Sequence, residues 1–313
     1  MLLAILACVA GLIALVWSAD RFVGGASGLA LRLGMTPMTV GLTLVALGTS
    51  APEILVSTAA ALTGSSNLAI GNALGSNIAN IGMVLGITLL VSPILLHRDT
   101  LRQDMPACLL VALLAGALMY DGQLSRLDGV ILIGALLALI GLMWRFRRGQ
   151  VGDEGEIPEH GSTAGADIWL FLSGLAVLLI SARILVWGAV ELARTLGVSE
   201  TVIGLTLVAV GTSLPELAAS VAAALRKHAD LAIGNVVGSN IMNLVTVLPV
   251  PALVAPGLIE PSLVQRDYPA MLGITVLLML AMLLARRRVM GRVTGAVLLT
   301  AYAAYLGLLV IQS

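Results

Sequence analysis

Long apolar blocks separated by short polar interruptions run the whole length of this 313-residue chain. About 20 apolar residues carry a helix across the hydrocarbon layer of a bilayer. The blocks therefore predict helices over 2–32, 37–62, 68–92, 104–120, 126–146, 168–196, 200–225, 231–254, 266–285 and 291–311. The expected fold is all-α and polytopic, with ten transmembrane helices. Composition agrees: 59% of residues are hydrophobic, 11% are charged and the mean hydropathy is +1.04, where soluble domains carry about a quarter charged residues. The opening stretch MLLAILACVAGLIALVW has no basic n-region and runs on into further apolar sequence, so it reads as the first helix and not as a cleaved signal. Cys8 and Cys108 lie in apolar segments, where a free thiol behaves as a small hydrophobe, and offer no disulfide framework.

The polar interruptions recur at a fixed distance. Adding 163 to a residue number in the first half reaches its counterpart in the second: GLTLVALGTSAPEILVS at 41–57 matches GLTLVAVGTSLPELAAS at 204–220 at 12 of 17 positions. AIGNALGSNIAN at 69–80 likewise matches AIGNVVGSNIMN at 232–243 at 9 of 12. The register extends outward to Ser18 and Ser181, Gly25 and Gly188, Asp104 and Asp267, and Pro106 and Pro269. Polar residues match as well as apolar ones, so shared membrane composition is a poor explanation. Five helices per copy is an odd number, which turns the second copy over in the bilayer. The expected organisation is a first inverted repeat over 1–146, a linker over 147–167 and a second repeat over 168–313, with the most similar segments at about 41–92 and 204–254. Equivalent residues of such repeats converge near the bilayer midplane, where secondary transporters of this symmetry bind substrate.

Charge sets the orientation. The loops after the first, third, fifth, seventh and ninth helices hold twelve Lys and Arg residues, and the opposite loops hold three, Arg126, Arg194 and Arg266. The positive-inside rule then puts both termini on the side away from the cytoplasm. Net charge is zero and suggests no nucleic-acid partner. The polar stretch 144–167, with Asp153, Glu154, Glu156 and Glu159, reads as a solvated cytoplasmic linker too short for a folded domain. This compact form suits a prokaryotic inner membrane.

The candidate chemistry lies in the repeated motifs. A carboxylate at mid-membrane costs about 3 kcal/mol on insertion scales, and the chain holds two, Glu53 and Glu216. They could be neutral or paired groups that hold helices together. Each, however, comes with oxygen donors and no basic partner. Thr49, Ser50 and Glu53 fall at i, i+1 and i+4 on one helical face, and Thr212, Ser213 and Glu216 repeat the arrangement. Pro52 and Pro215 cannot donate to the carbonyls of Gly48 and Gly211, so each helix should kink there and turn backbone carbonyls toward a cavity. Gly71, Gly75, Gly234 and Gly238 form small-xxx-small patterns that bring helices close. Beside them stand Ser76, Asn77, Asn80, Ser239, Asn240 and Asn243, too many polar groups for packing alone. His97, His160 and His228 all fall outside the helices. A set of carboxylate, hydroxyl, amide and carbonyl oxygens selects hard cations such as calcium, magnesium or sodium over zinc or copper. Two carboxylates neutralise one divalent ion, or hold two or more monovalent ions with little residual charge.

At these residues the sequence resembles the calcium/cation antiporter superfamily, specifically the prokaryotic type of its sodium/calcium exchanger family. GTSAPE with GNALGSNIAN and GTSLPE with GNVVGSNIMN correspond to the two alpha-repeats of that family. The resemblance implies antiport of sodium and calcium by alternating access, with helices one and six as a sliding gate. It implies calcium ligation by Glu53, Glu216, Thr49 and Thr212. Sodium ligation would fall to Ala46, Ser50, Glu53, Ser76, Asn80, Ala209, Ser213, Glu216, Ser239 and Asn243. Some relatives, the potassium-dependent exchangers among them, carry an aspartate where this chain has Asn243, which argues against obligatory potassium co-transport. The proton-coupled branch carries an Asn-Ala-Thr-Glu type of motif in place of GTSAPE and GTSLPE. Asp20 and Arg183 occupy equivalent positions in helices one and six, which leaves two readings: an ion pair between the gating helices, or Asp20 paired locally with Arg183 snorkelling toward a headgroup. Outside this class stand a cation/proton antiporter, a cation channel and an intramembrane enzyme. For the last the helices offer no nucleophile–base pair and no cofactor fingerprint. The transported ions themselves are the expected ligands.

Overall fold

The computed structural model describes residues 1–147, 163–197 and 209–312. Within them, eight helices are long and apolar enough to cross a membrane: α1 (Leu2–Arg32), α4 (Ser66–Val91), α5 (Thr100–Met119), α6 (Arg126–Arg147), α7 (Ala164–Thr195), α10 (Ala229–Val254), α11 (Leu263–Leu284) and α12 (Arg292–Gln312). A ninth span is broken into α2 (Pro37–Thr49) and α3 (Ala51–Leu62), which meet at 44°. Its repeat equivalent is seen as α8 (Ala209–Thr212) and α9 (Leu214–Leu225), and the start of the predicted helix 200–225 lies outside the described residues. The protein is an all-α integral membrane protein.

The breaks fall where the prolines put them. Ser50 and Ser213 leave the helical ladder immediately before Pro52 and Pro215. Wide, π-helical turns cover Thr100–Asp104 and Leu263–Asp267, just before Pro106 and Pro269. Each of these prolines removes a donor and crowds the preceding turn. Two further π segments begin at Asn80 and Asn243, inside α4 and α10.

Helices α4 and α10 form the centre: 78% and 83% of an 18-residue apolar stretch of each is buried, against 11% for α6. Around them the 163-residue register returns as geometry. The Ser18 hydroxyl donates to the Leu15 carbonyl and Ser181 to Leu178. Two short antiparallel ribbons join the chain's halves, β1 (Ile94–Leu95) with β4 (Val289–Met290) and β2 (Gln123–Leu124) with β3 (Gly257–Leu258). Because α5 runs between β1 and β2, the ribbons lie at opposite ends of the bundle.

Helices α1 and α7 cross antiparallel along most of their length, 31 and 32 residues, with Gly25 against Phe171, Gly174 against Phe22 and Gly11 against Leu185. Helix α7 begins at Ala164, four residues before the predicted helix start at 168. Thr163 caps the helix by accepting from the Ala166 amide at 3.3 Å, so Asp167 belongs to the first turn, where a negative charge suits the helix dipole. Asp167 is buried and pairs with Arg32 at 2.6 Å, tying the end of α1 to the beginning of α7.

Candidate cation site

Glu53 and Glu216 stand in the first turns of α3 and α9, directly after the breaks, and both are fully buried. Both carboxylate oxygens of Glu53 and the Oε2 of Glu216 have no hydrogen-bond partner. Nor do the Ser213 hydroxyl, both amide atoms of Asn80, or the Oδ1 atoms of Asn240 and Asn243. A native core pairs nearly all of its buried polar atoms. Here the exceptions gather in the repeated motifs, and most are acceptors, as oxygens reserved for a cation would be. Among the described residues, no Lys or Arg forms an ion pair with either glutamate, and no group of three or more His, Cys, Asp or Glu makes a metal centre.

The two repeats are joined at this point. Ser50 donates to Glu216 Oε1 at 3.3 Å, from the break of one repeat to the carboxylate of the other. Thr49 Oγ1 donates to the Ala46 carbonyl at 3.3 Å and to Asn235 Oδ1 at 3.1 Å, and lies 3.5 Å from Ser239 Oγ. The Ala46 carbonyl also accepts from the Ser50 amide at 2.9 Å. Ser76 is buried on α4, and Asn80 and Asn243 each open a π segment, a distortion frequent at functional sites. Asn243 donates to Asn77 Oδ1 at 3.0 Å. Ala209 heads α8 and Thr212 ends it, one residue before Ser213. Hydrogen-bond contacts thus link Ser239, Thr49, Ala46, Ser50 and Glu216 in a chain, and Glu53, Ser76, Asn80 and Asn243 are buried on the elements around them.

Two functional candidates escaped the sequence reading. Asn72 donates to the Glu53 carbonyl at 3.3 Å and to Ser57 Oγ at 3.0 Å. Asn235 does the same for the Glu216 carbonyl at 3.3 Å and Ser220 Oγ at 2.9 Å. These amides clamp the backbone of each carboxylate to the neighbouring central helix. The signal was present, since Asn72 and Asn235, and Ser57 and Ser220, are identical in both copies. Position within a glycine motif hid it. Replacing Asn235 with Ala takes this partner from three buried groups, the Glu216 carbonyl, Ser220 Oγ and Thr49 Oγ1, at about 1–3 kcal/mol each. The expected result is a weaker calcium affinity together with a lower melting temperature, read by titration and thermal shift on the purified protein. Unchanged calcium affinity would show that the clamp does not orient Glu216.

The Asp20–Arg183 ion-pair reading is corrected. Asp20 pairs with Arg226 at 2.5 Å, at the end of α9. The reason is the antiparallel crossing: with Gly25 opposite Phe171 and Gly11 opposite Leu185, Asp20 stands level with about residue 176, some seven residues, or about 10 Å, from Arg183. Equivalent residues of two helices related by a twofold meet only at the crossing point. A double-mutant cycle on thermal stability is expected to give a coupling of about 0.2–1 kcal/mol for Asp20 with Arg226, typical of exposed pairs, and none for Asp20 with Arg183. The reverse pattern would contradict the observed contact.

A membrane bundle in which two broken helices present buried carboxylates with three of their four oxygens unpartnered has the architecture of a cation transporter. The family model described as sodium/calcium exchanger protein matches residues 3–145 and 166–311. The chain belongs to that family. It is 44% identical to a putative antiporter, CaxA, of Alkalimonas amylolytica, across 97% of this chain and 98% of the relative. It is 32% identical to the sodium/calcium exchanger MaX1 of Methanosarcina acetivorans, across 95% of both. Among solved structures it resembles the sodium-calcium exchanger NCX_Mj with a TM-score of 0.84 and 34% identity, covering 98% of both chains.

Proposed function

We propose that this protein is a secondary active antiporter that exchanges sodium for calcium by alternating access, with calcium leaving the cytoplasm as sodium enters. The observation that carries the proposal is the pair of fully buried glutamates, one per repeat, with three carboxylate oxygens left unpartnered and a hydroxyl bridge between the repeats. Two carboxylates balance one calcium ion. Sodium ions in the same oxygen set compensate the same charge, so one kind of cargo can leave as the other arrives, and an empty, doubly charged cavity is disfavoured during the crossing. In this reading Glu53, Glu216, Thr49 and Thr212 hold calcium. Ala46, Ser50, Glu53, Ser76, Asn80, Ala209, Ser213, Glu216, Ser239 and Asn243 serve sodium. We take the chain as two inverted repeats, 1–146 and 168–313, about a linker at 147–167, with both termini away from the cytoplasm. The names of the relatives, and a helical bundle closely superimposable on NCX_Mj, support this reading.

The test uses proteoliposomes loaded with sodium and diluted into sodium-free buffer containing radioactive calcium, with potassium-loaded and acid-loaded vesicles alongside. Calcium uptake confined to the sodium-loaded vesicles is expected. Uptake driven by the acid gradient would assign the protein to cation/proton antiport, and flux without a counter-ion would make it a channel.

A further inference from the structure

The β1·β4 ribbon carries a feature that cation exchange does not use. A concavity of about 530 Å³ opens beside it, lined by Leu95, Leu96, His97, Arg98, Arg287 and Arg288, with Asp99 at its edge. Two separate segments of chain deliver its three guanidinium groups: the loop after α4, and the turn between α11 and α12. The ribbon holds that turn in place, with the Leu96 amide donating to the Arg288 carbonyl at 2.7 Å. Among the described residues, none of the three arginines forms an ion pair, whereas His97 is 3.3 Å from Asp230. Three cations against Asp99 leave the concavity electropositive.

Its surroundings decide between a soluble anion and a lipid. Leu95, which lines the concavity, and Leu284, Val289 and Val293, all within five residues of Arg288 along the chain, are exposed. A dissolved phosphate gains nothing from these side chains, but the acyl chains of a phospholipid whose headgroup sits on the guanidiniums would cover them. The other ribbon, β2·β3, serves as an internal control, because it has the same pairing but a different charge. It carries Asp121, Asp128 and Glu260, with Asp121 and Asp128 engaged in local turns and caps: Asp121 accepts from the Gln123 amide at 3.0 Å and Asp128 from the Ser125 amide at 2.7 Å. Charge bias across the membrane would scatter arginines over the loops of one side. It does not by itself converge three of them on one hollow with an apolar rim. Arginine suits this role because its planar fork binds phosphate in bidentate fashion, and basic pockets beside membrane helices bind anionic headgroups.

We infer that the β1·β4 ribbon is a binding site for an anionic phospholipid, with the phosphate-bearing headgroup held by Arg98, Arg287 and Arg288 and the acyl chains lying on Leu95, Leu284, Val289 and Val293. The site is independent of the ion pathway. Delipidated full-length protein in detergent is offered an equimolar mixture of phosphatidylglycerol and phosphatidylethanolamine, and bound lipid is counted by native mass spectrometry. Wild-type protein is expected to retain phosphatidylglycerol in preference, and R98Q/R287Q/R288Q to lose that preference about tenfold or more, since each interfacial charge contributes appreciably. D128N/E260Q at the other ribbon is expected to leave it unchanged. If the triple variant does not fold, R98Q and R288Q alone are each expected to lower the preference severalfold. Equal retention by wild type and arginine variants would overturn the site. Displacement of the lipid by millimolar inorganic phosphate would overturn the lipid assignment, because it would show that the apolar rim contributes nothing.

Discussion

Replacing Glu53 or Glu216 with Gln is expected to weaken calcium binding by about thirtyfold or more while leaving the ion-free protein folded. Truncating one partner of a buried charged contact costs about 2–5 kcal/mol, and about 1.4 kcal/mol corresponds to a tenfold change in affinity. Gln keeps the volume and one acceptor oxygen, but one negative charge no longer opposes the divalent ion. Stability should move the other way. The Glu53 carboxylate has no protein partner to lose, and a buried charge without a partner is itself unfavourable, so the ion-free Glu53→Gln protein should melt at the same temperature as wild type or higher. Glu216→Gln keeps an acceptor for the Ser50 hydroxyl, which donates to Oε1 at 3.3 Å in the wild type. Calcium titration on purified variants, with thermal shift measured in the absence and presence of calcium, separates the two effects. A variant that loses stability but retains calcium affinity would mean that the glutamates hold helices together and do not ligate the ion.

The second large effect is expected at Gly234. This residue lies against the backbone of α2: a Cβ there would stand 2.8 Å from the Met38 carbonyl and 3.1 Å from the Gly41 Cα, while a Cβ on Gly41 would reach within 3.0 Å of the Gly234 Cα. Two glycines face each other, and neither backbone can yield without shifting a helix that carries site residues. Gly234→Val therefore places three carbons where only hydrogen fits, in a close-packed region where overpacking typically costs about 1–3 kcal/mol or more. Loss of folded protein on size-exclusion chromatography is the expected outcome, or failing that a clear fall in melting temperature. Gly273→Val is the matched control. Gly273 is exposed on α11 and a Cβ there meets nothing within 4 Å, so the same substitution should be silent. Normal yield and stability for Gly234→Val would show that α2 and α10 are not in the close contact described.

The membrane fold was legible because its cause is local. A long apolar block has no stable alternative to a helix in hydrocarbon, where every backbone polar group must be satisfied within the segment. The blocks and the spans accordingly agree to within a few residues. The shift at α7 came from Thr163 and Asp167, whose capping and dipole interactions extend the helix beyond its apolar core. Pro52 and Pro215 announced the breaks for an equally local reason. The clamps made by Asn72 and Asn235 were half legible: identity in both copies marked the residues, but only contact with Ser57, Ser220 and the glutamate carbonyls showed their work. The Asp20–Arg183 ion-pair reading failed because a shared repeat position says nothing about how far two helices lie from their crossing point.

The amino-acid sequence by itself determined the membrane environment, the duplication and the two broken helices, and pointed to candidate oxygen donors, since composition, periodicity and proline chemistry act within a single segment. Only the tertiary structure decided which donors meet: Ser50 with Glu216, Thr49 with Asn235 and Ser239, Asp20 with Arg226, and arginines from two loops around one hollow. Those pairings depend on helix crossing angles and register between segments some 160 to 210 residues apart. These are set by side-chain packing across the whole bundle, which no single stretch of chain contains.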